Sequence, residues 1–193
     1  LIRDGVDTII NPDDLASLEC ALSIKDLFPE TSITVITMGP KQAQKMLIDC
    51  YGYGIDEAVL VCDRAFSGSD TWATSYILSQ AIKGYDYDLI LAGKQAIDGD
   101  TAQVGPQVAL HLNLAQVTCV KQIDHVSPTH LEVTKSYEKV DERCRVQLPC
   151  VLTIQGDEVN VRKANLSDVW DADEKEITVL DNEILKCDVK NIG

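Results

Sequence analysis

The sequence predicts an α/β fold, a mostly parallel sheet flanked by helices, with antiparallel strands added in the C-terminal half and an extended C-terminal arm. Two observations predict it. Up to about residue 112, β-branched strand segments alternate with helical ones over short connections, the grammar of a parallel sheet covered on both faces. After about residue 115, strand segments follow one another through turns with no helix between them. The 193 residues are 45 % hydrophobic, enough for one compact core. That core is expected over residues 1–155, with the arm over residues 156–193.

The elements follow in order. Asn11 to Phe28 reads as a helix: Asn11 is placed to cap it, Pro12 suits the first turn, and Leu15, Leu18, Leu22 and Leu27 form an apolar stripe. Ser32 to Met38 is β-branched and stops at Gly39-Pro40, a strand. A helix over Lys41 to Tyr51 ends at Gly52, and Glu57 to Cys62 is a buried strand. Asp70 to Lys83 reads as a helix and Tyr87 to Ala92 as a strand running into Gly93. A further helix ends near Leu112. Val117 to Val126, Leu131 to Tyr137 and Arg143 to Ile154 read as strands of an antiparallel extension. From Gln155 onward the chain is polar and acidic, broken by Ile177 to Leu180 and a last helical turn. Such a segment buries little alone, so it is expected to lie on a partner.

Charge narrows the function. The 17 basic and 31 acidic residues give a net charge of −14, which disfavours nucleic acid and anionic membranes alike. No run approaches the roughly 18–20 apolar residues that span a bilayer. Seven cysteines include no Cys-x-x-Cys pair, so they read as reduced core residues of a cytoplasmic protein. His111, His125 and His130 lack metal-ligand spacing, and no metal is expected. There is no Gly-x-Ser-x-Gly elbow, and no catalytic acid–base pair is nominated. Leu1 opens the chain without an initiator Met, so an incomplete sequence is expected.

The informative stretch is Gly93 to Pro106, GKQAIDGDTAQVGP. It follows a strand and opens into a helix, the place where parallel α/β sheets bind ligands. Gly93, Gly99 and Gly105 are expected to adopt positive φ and let the backbone approach a phosphate. The amides from about Gly99 to Val104 would point at a diphosphate. Asp100 is expected to cap the helix, with Gln103 completing a capping box. Pro106 then demands a kink or a later start. Asp98 and Asp100 must turn aside to avoid repelling phosphate. The stretch is neither Gly-x-Gly-x-x-Gly nor a Walker loop.

DLILAGKQAIDGDTAQVGP, Asp88 to Pro106, resembles the signature of electron-transfer flavoprotein beta subunits, a Rossmann-like family. Asp4-Gly5-Val6 leading to Asn11-Pro12-Asp13, Thr37-Met38-Gly39-Pro40, and Leu148-Pro149 before a strand follow in the family's order. The resemblance implies a heterodimer with an alpha subunit that carries FAD. It implies that this chain holds AMP, or a second FAD in the NADH-oxidising, electron-bifurcating branch. The implied cofactor pocket comprises Asn11, Pro12, Asp13, Asp14 and Met38, with Gly93, Lys94, Gln95, Ala96, Ile97, Asp98, Gly99, Asp100, Thr101, Ala102, Gln103 and Val104. Asp63 to Ser75, DRAFSGSDTWATS, resembles the FAD-holding branch, with Thr71 and Thr74 near the flavin ring. The implied partners are the alpha subunit, an acyl-CoA dehydrogenase-like or other flavin dehydrogenase, and ferredoxin or flavodoxin as low-potential acceptor. Leu166 is the implied anchor for the dehydrogenase. The acidic Asp171-Ala172-Asp173-Glu174-Lys175-Glu176 stands where the family's common version carries lysines, which favours a basic partner surface. The resemblance also implies a strand ahead of Leu1 and a segment beyond Gly193.

Overall fold

The structure is a computed structural model and describes residues 9–137, 140–172 and 174–193. Asp4-Gly5-Val6 and Asp173 lie outside the described residues. The order is α1 (Pro12–Leu27), β1 (Thr34–Met38), α2 (Ala43–Tyr51), β2 (Glu57–Val61), α3 (Thr71–Ile82), β3 (Leu89–Gly93) and α4 (Val104–Leu112). Then come β4 (Ala115–Val126), β5 (His130–Tyr137), β6 (Val140–Gln147), β7 (Cys150–Ile154), α5 (Leu166–Ala172), β8 (Ile177–Leu180) and α6 (Asn182–Leu185).

The α/β class holds, but the strands divide into two sheets. One is wholly parallel, ordered β1-β2-β8; the other is mixed, ordered β3-β7-β4-β5-β6. In the first, Thr34 pairs with Glu57 and Ala58 with Ile177. In the second, β7 runs parallel to β3 and β4, while β4-β5 and β5-β6 are antiparallel. The central strands β2 and β7 read as continuous apolar runs because both faces are covered: Ala58 to Val61 are buried, as are Cys150, Val151, Leu152 and Ile154.

The expected single strand over Arg143 to Ile154 is two. Pro149 has no N–H to give a ladder, and the chain breaks at Leu148-Pro149 between β6 and β7. β6 stays in the antiparallel extension, whereas β7 inserts between β3 and β4.

One helix serves both sheets. Leu18 and Leu22 of α1 join a core with Leu47 and Leu60, while Ala16 packs with Leu152 and Ile154. A third core gathers Val61, Phe66, Ile77 and Ala81 beneath α3. Asp70 caps α3, its carboxylate accepting from the Ala73 N–H at 2.8 Å.

The acidic C-terminal stretch leaves β7, passes α1 and returns to the parallel sheet, where β8 pairs with β2. Arg162 straps it down. Its backbone N–H donates to Glu19 Oε2 at 2.9 Å, and its guanidinium donates to Glu19 at 2.8 Å and to Asp26 at 2.7 Å. Burial pushes the Glu19 carboxyl up, but hydrogen bonds and charge from Arg162, aided by Ser23, outweigh it and leave Glu19 below its ordinary value. Hydrogen bonding to Arg162 lowers Asp26 as well. Both shifts are downward, so the strap's contribution is complete above the ordinary carboxylate range and lost as pH falls through the depressed values. Exchange protection of the Arg162 amide is therefore expected to hold through the ordinary carboxylate range and to fall only below it. Protection that holds flat below that range would contradict the linkage.

Candidate functional site

The first turn of α1 sits against the C-terminal ends of β3 and β7. Asp14 Oδ1 accepts from the Gly93 N–H at 2.6 Å, and Asp13 Oδ1 accepts from the Gly156 N–H at 2.9 Å. Gly93 is required by this closeness, and a side chain at Gly156 would displace the Asp13 carboxylate. A Cβ on Gly93 would lie 2.8 Å from the Asp14 backbone nitrogen, and one on Gly156 would lie 2.8 Å from Asp13 Oδ1. Pro12 occupies the first helical position, where its missing N–H costs nothing.

Asn11 stands at the N-cap position but makes no side-chain cap bond. Its amide reaches the loop after β3 instead. Nδ2 donates to the Gln95 carbonyl at 2.8 Å and to Asp14 Oδ2 at 2.9 Å, while Oδ1 accepts from the Ile97 N–H at 3.2 Å. The sequence offers a good cap; the fold uses it as a bridge.

The loop itself departs from expectation in three ways. Positive φ falls on Asp100 (51°) and Ala102 (53°), and on none of Gly93, Gly99 and Gly105. Gly105 instead lets α4 approach β7, since a Cβ there would lie 2.6 Å from Thr153 Cγ2. Asp100 does not cap the helix: α4 begins at Val104, which leaves Pro106 in the first turn where it is tolerated. The amides of Gly99 and Asp100 are spent on the Ala96 carbonyl, at 3.3 and 2.9 Å. Donors for an anion therefore come later. The N–H groups of Val104 and Gly105 have no acceptor within α4, and Pro106 has none to give.

The remaining residues fit an anion at that point. The Asp100 carboxylate accepts from Gln95 Nε2, and Asp98 and Thr101 are exposed on the loop. Lys94 ties the loop's root to β7 through its N–H and the Ile154 carbonyl, 2.8 Å. The loop is open to solvent from Ala96 to Thr101; it is not packed shut. The loop thus leaves backbone donors unpaired at the start of α4 and open to solvent beside it.

Thr71, at the start of α3, joins the site. Its hydroxyl donates to Gln103 Oε1 at 2.8 Å, and one turn on Ser75 donates to Gln107 at 3.1 Å. The helix starts of α3 and α4 are thus clasped side by side. Thr74 is half-buried on α3, its N–H bonded to the Asp70 carbonyl at 2.9 Å. Met38 ends β1 and packs on the core below α3. Leu166 opens α5 at 79 % exposure, remote in sequence and in the strapped C-terminal stretch.

Sequence reasoning missed Gly156, Arg162 and the Thr71–Gln103 clasp. Only the glycine carried a signal, since it lies two residues beyond the end of a strand. Two clefts are also present: a polar one of about 260 Å³ on the antiparallel extension, and an apolar one of about 520 Å³ between α1, α2 and α5. Neither is lined by the loop. Among the described residues, no group of three or more His, Cys, Asp or Glu is placed to hold a metal ion. No helix among them is long and apolar enough to cross a membrane.

Comparison with known proteins gives the family. The Electron transfer flavoprotein domain family matches residues 1–184. A similar protein is the Caffeyl-CoA reductase-Etf complex subunit CarD of Acetobacterium woodii, 47 % identical over 187 residues, covering 95 % of this chain and 70 % of that protein. The Electron transfer flavoprotein subunit beta of Clostridium acetobutylicum is 44 % identical over 194 residues, covering 100 % of this chain and 74 % of its own length. Protein FixA of Azotobacter vinelandii is 43 % identical over 187 residues, 94 % of this chain and 66 % of that protein. The chain belongs to the electron transfer flavoprotein family, as a beta subunit.

Proposed function

We propose that this beta subunit binds FAD, accepts a hydride from NADH, and passes electrons to the FAD of an alpha subunit and to a partner flavin dehydrogenase, in the manner of electron bifurcation. The observation that carries the reading is the Thr71–Gln103 bond of 2.8 Å. It fastens the threonine-bearing start of α3 to the loop proposed to grip the pyrophosphate. A dinucleotide spans both elements, with its ring system beyond the phosphates, whereas AMP needs only the loop.

FAD, when bound, supplies the hydride-accepting and one-electron chemistry. The chain's own work is to bind and orient. Val104 and Gly105 offer backbone donors at the helix entrance, strengthened by the α4 dipole. Asn11 fixes the loop at Gln95 and Ile97. On this reading Thr71 and Thr74, three residues apart on α3, hydrogen-bond the flavin ring edge. No side chain is assigned as acid or base.

The partner reading rests on α5. Leu166, Val169 and Trp170 are exposed at 79 %, 43 % and 83 %, three and four residues apart and so on one helical face. Asp168 and Asp171 flank them. Such a face suits a dehydrogenase with an apolar socket in a basic surround. Ferredoxin or flavodoxin serves as the low-potential acceptor, and a cytoplasmic setting agrees with seven free cysteines.

Cofactor analysis of the purified heterodimer tests the reading. Two FAD per heterodimer are expected. One FAD together with AMP would instead make this chain a structural, AMP-holding subunit.

A further inference from the structure

We propose that Asp14 is a positioning residue: its carboxylate sets the orientation of the Asn11 amide, and through it the shape of the loop after β3, without touching the cofactor. The proposal rests on the cofactor reading above only for its consequence in binding. The geometry comes from the hydrogen bonds alone.

An aspartate is acceptor-only, while an asparagine carries two donors on nitrogen and acceptor capacity on oxygen. Asn11 uses three contacts at once: Nδ2 to Asp14 Oδ2 and to the Gln95 carbonyl, Oδ1 from the Ile97 N–H. The opposite amide orientation would set its oxygen against the Gln95 carbonyl and the Asp14 carboxylate, and its NH2 against the Ile97 N–H. Two of those contacts involve the loop; the third, from Asp14, adds a charge that selects the orientation. The other oxygen of Asp14 accepts from Gly93 N–H at 2.6 Å. One carboxylate thus holds the loop's root directly and its crest through Asn11. Asp13 does the parallel task for the C-terminal stretch, at Gly156. The two adjacent carboxylates therefore divide between two strand ends, and neither is directed at a bound anion. Their charge is spent on backbone and amide donors, which reconciles two acidic residues with a phosphate site.

The test uses amide hydrogen exchange on the full heterodimer, with cofactor removed, in wild type and three variants. In Asp14→Asn the new side chain can still accept from Gly93, but its NH2 opposes that of Asn11. Protection at Gly93 is expected to persist while protection at Ile97 falls about tenfold. Asp13→Asn serves as the control and leaves Ile97 unchanged. Adding Asn11→Asp to Asp14→Asn restores an acceptor that faces both the substituted amide and the Ile97 N–H. Ile97 protection is then expected to recover in part, the donation to Gln95 being lost. Rebinding of FAD is expected to weaken about tenfold in Asp14→Asn and to recover in part with the second substitution. Wild-type protection at Ile97 in Asp14→Asn, or no recovery in the double variant, overturns the proposal. If wild type rebinds no FAD, the cofactor reading fails, and the exchange pattern still decides the role of Asp14.

Discussion

Gly93→Ala is expected to strip the subunit of its dinucleotide, although the change adds a single methyl group. That carbon would stand 2.8 Å from the Asp14 backbone nitrogen, 2.8 Å from Asp14 Oδ1 and 2.9 Å from the Asp13 carbonyl carbon. Two of the three are backbone atoms of a helix that also packs on both sheets, so nothing there swings aside. The end of β3 and the first turn of α1 must separate, and the 2.6 Å bond between Gly93 and Asp14 is lost with them. Overpacking of this kind costs about 1–3 kcal/mol. The larger effect falls on binding, because Asn11 moves with the helix and releases Gln95 and Ile97. Affinity at this site should fall more than about tenfold, a loss of about 1.4 kcal/mol or more, and flavin absorbance per heterodimer after gel filtration should drop toward half, the alpha-subunit FAD remaining. Gly99→Ala is the natural comparison. Its Cβ meets nothing within 4 Å and its φ is not positive, so flavin content should hold. Equal flavin in the Gly93 variant and wild type would remove the loop from the cofactor site.

Leu152→Ala is expected to produce the largest loss of stability that a truncation outside the site brings. Leu152 is fully buried in β7, and its cluster unites the mixed sheet with Ala16 of α1. A Leu-to-Ala cavity in such a core costs about 2–5 kcal/mol, the upper end applying where neighbours cannot collapse. β7 is hydrogen-bonded on both sides, to β3 and β4, so collapse is restricted. Urea unfolding should show a lower midpoint at an unchanged slope. A stability within about 0.5 kcal/mol of wild type would mean that β7 is not an interior strand.

The two predictions also mark where sequence reading succeeds and where it stops. β1, β2 and β3 are legible because short apolar runs bounded by turn residues leave few alternatives. Asp70 is legible as a cap because its acceptor and donor are three residues apart. Asn11 has the same local pattern, yet its partners Gln95 and Ile97 lie 84 and 86 residues away. Tertiary contact outcompetes the cap, and no local signal announces that. The insertion of β7 between β3 and β4 is likewise a long-range pairing. Pro149 marks the break but not the destination. At the loop, Pro106 calls for a kink or a later start, and α4 takes the later start. The glycines suggest backbone freedom, whereas Gly93 and Gly105 serve closeness and the left-handed residues are Asp100 and Ala102.

Those two left-handed residues have an effect of their own. Each side chain at positive φ costs on the order of 1–2 kcal/mol relative to an ordinary conformation, and folding carries that cost before any ligand arrives. A segment already bent into shape loses little further entropy when it closes on a guest. On the proposed cofactor reading the grip is preorganised: tightness at this mouth is drawn from the stability of the whole subunit, and a variant that relaxed the bend is expected to fold more firmly and hold the cofactor less well.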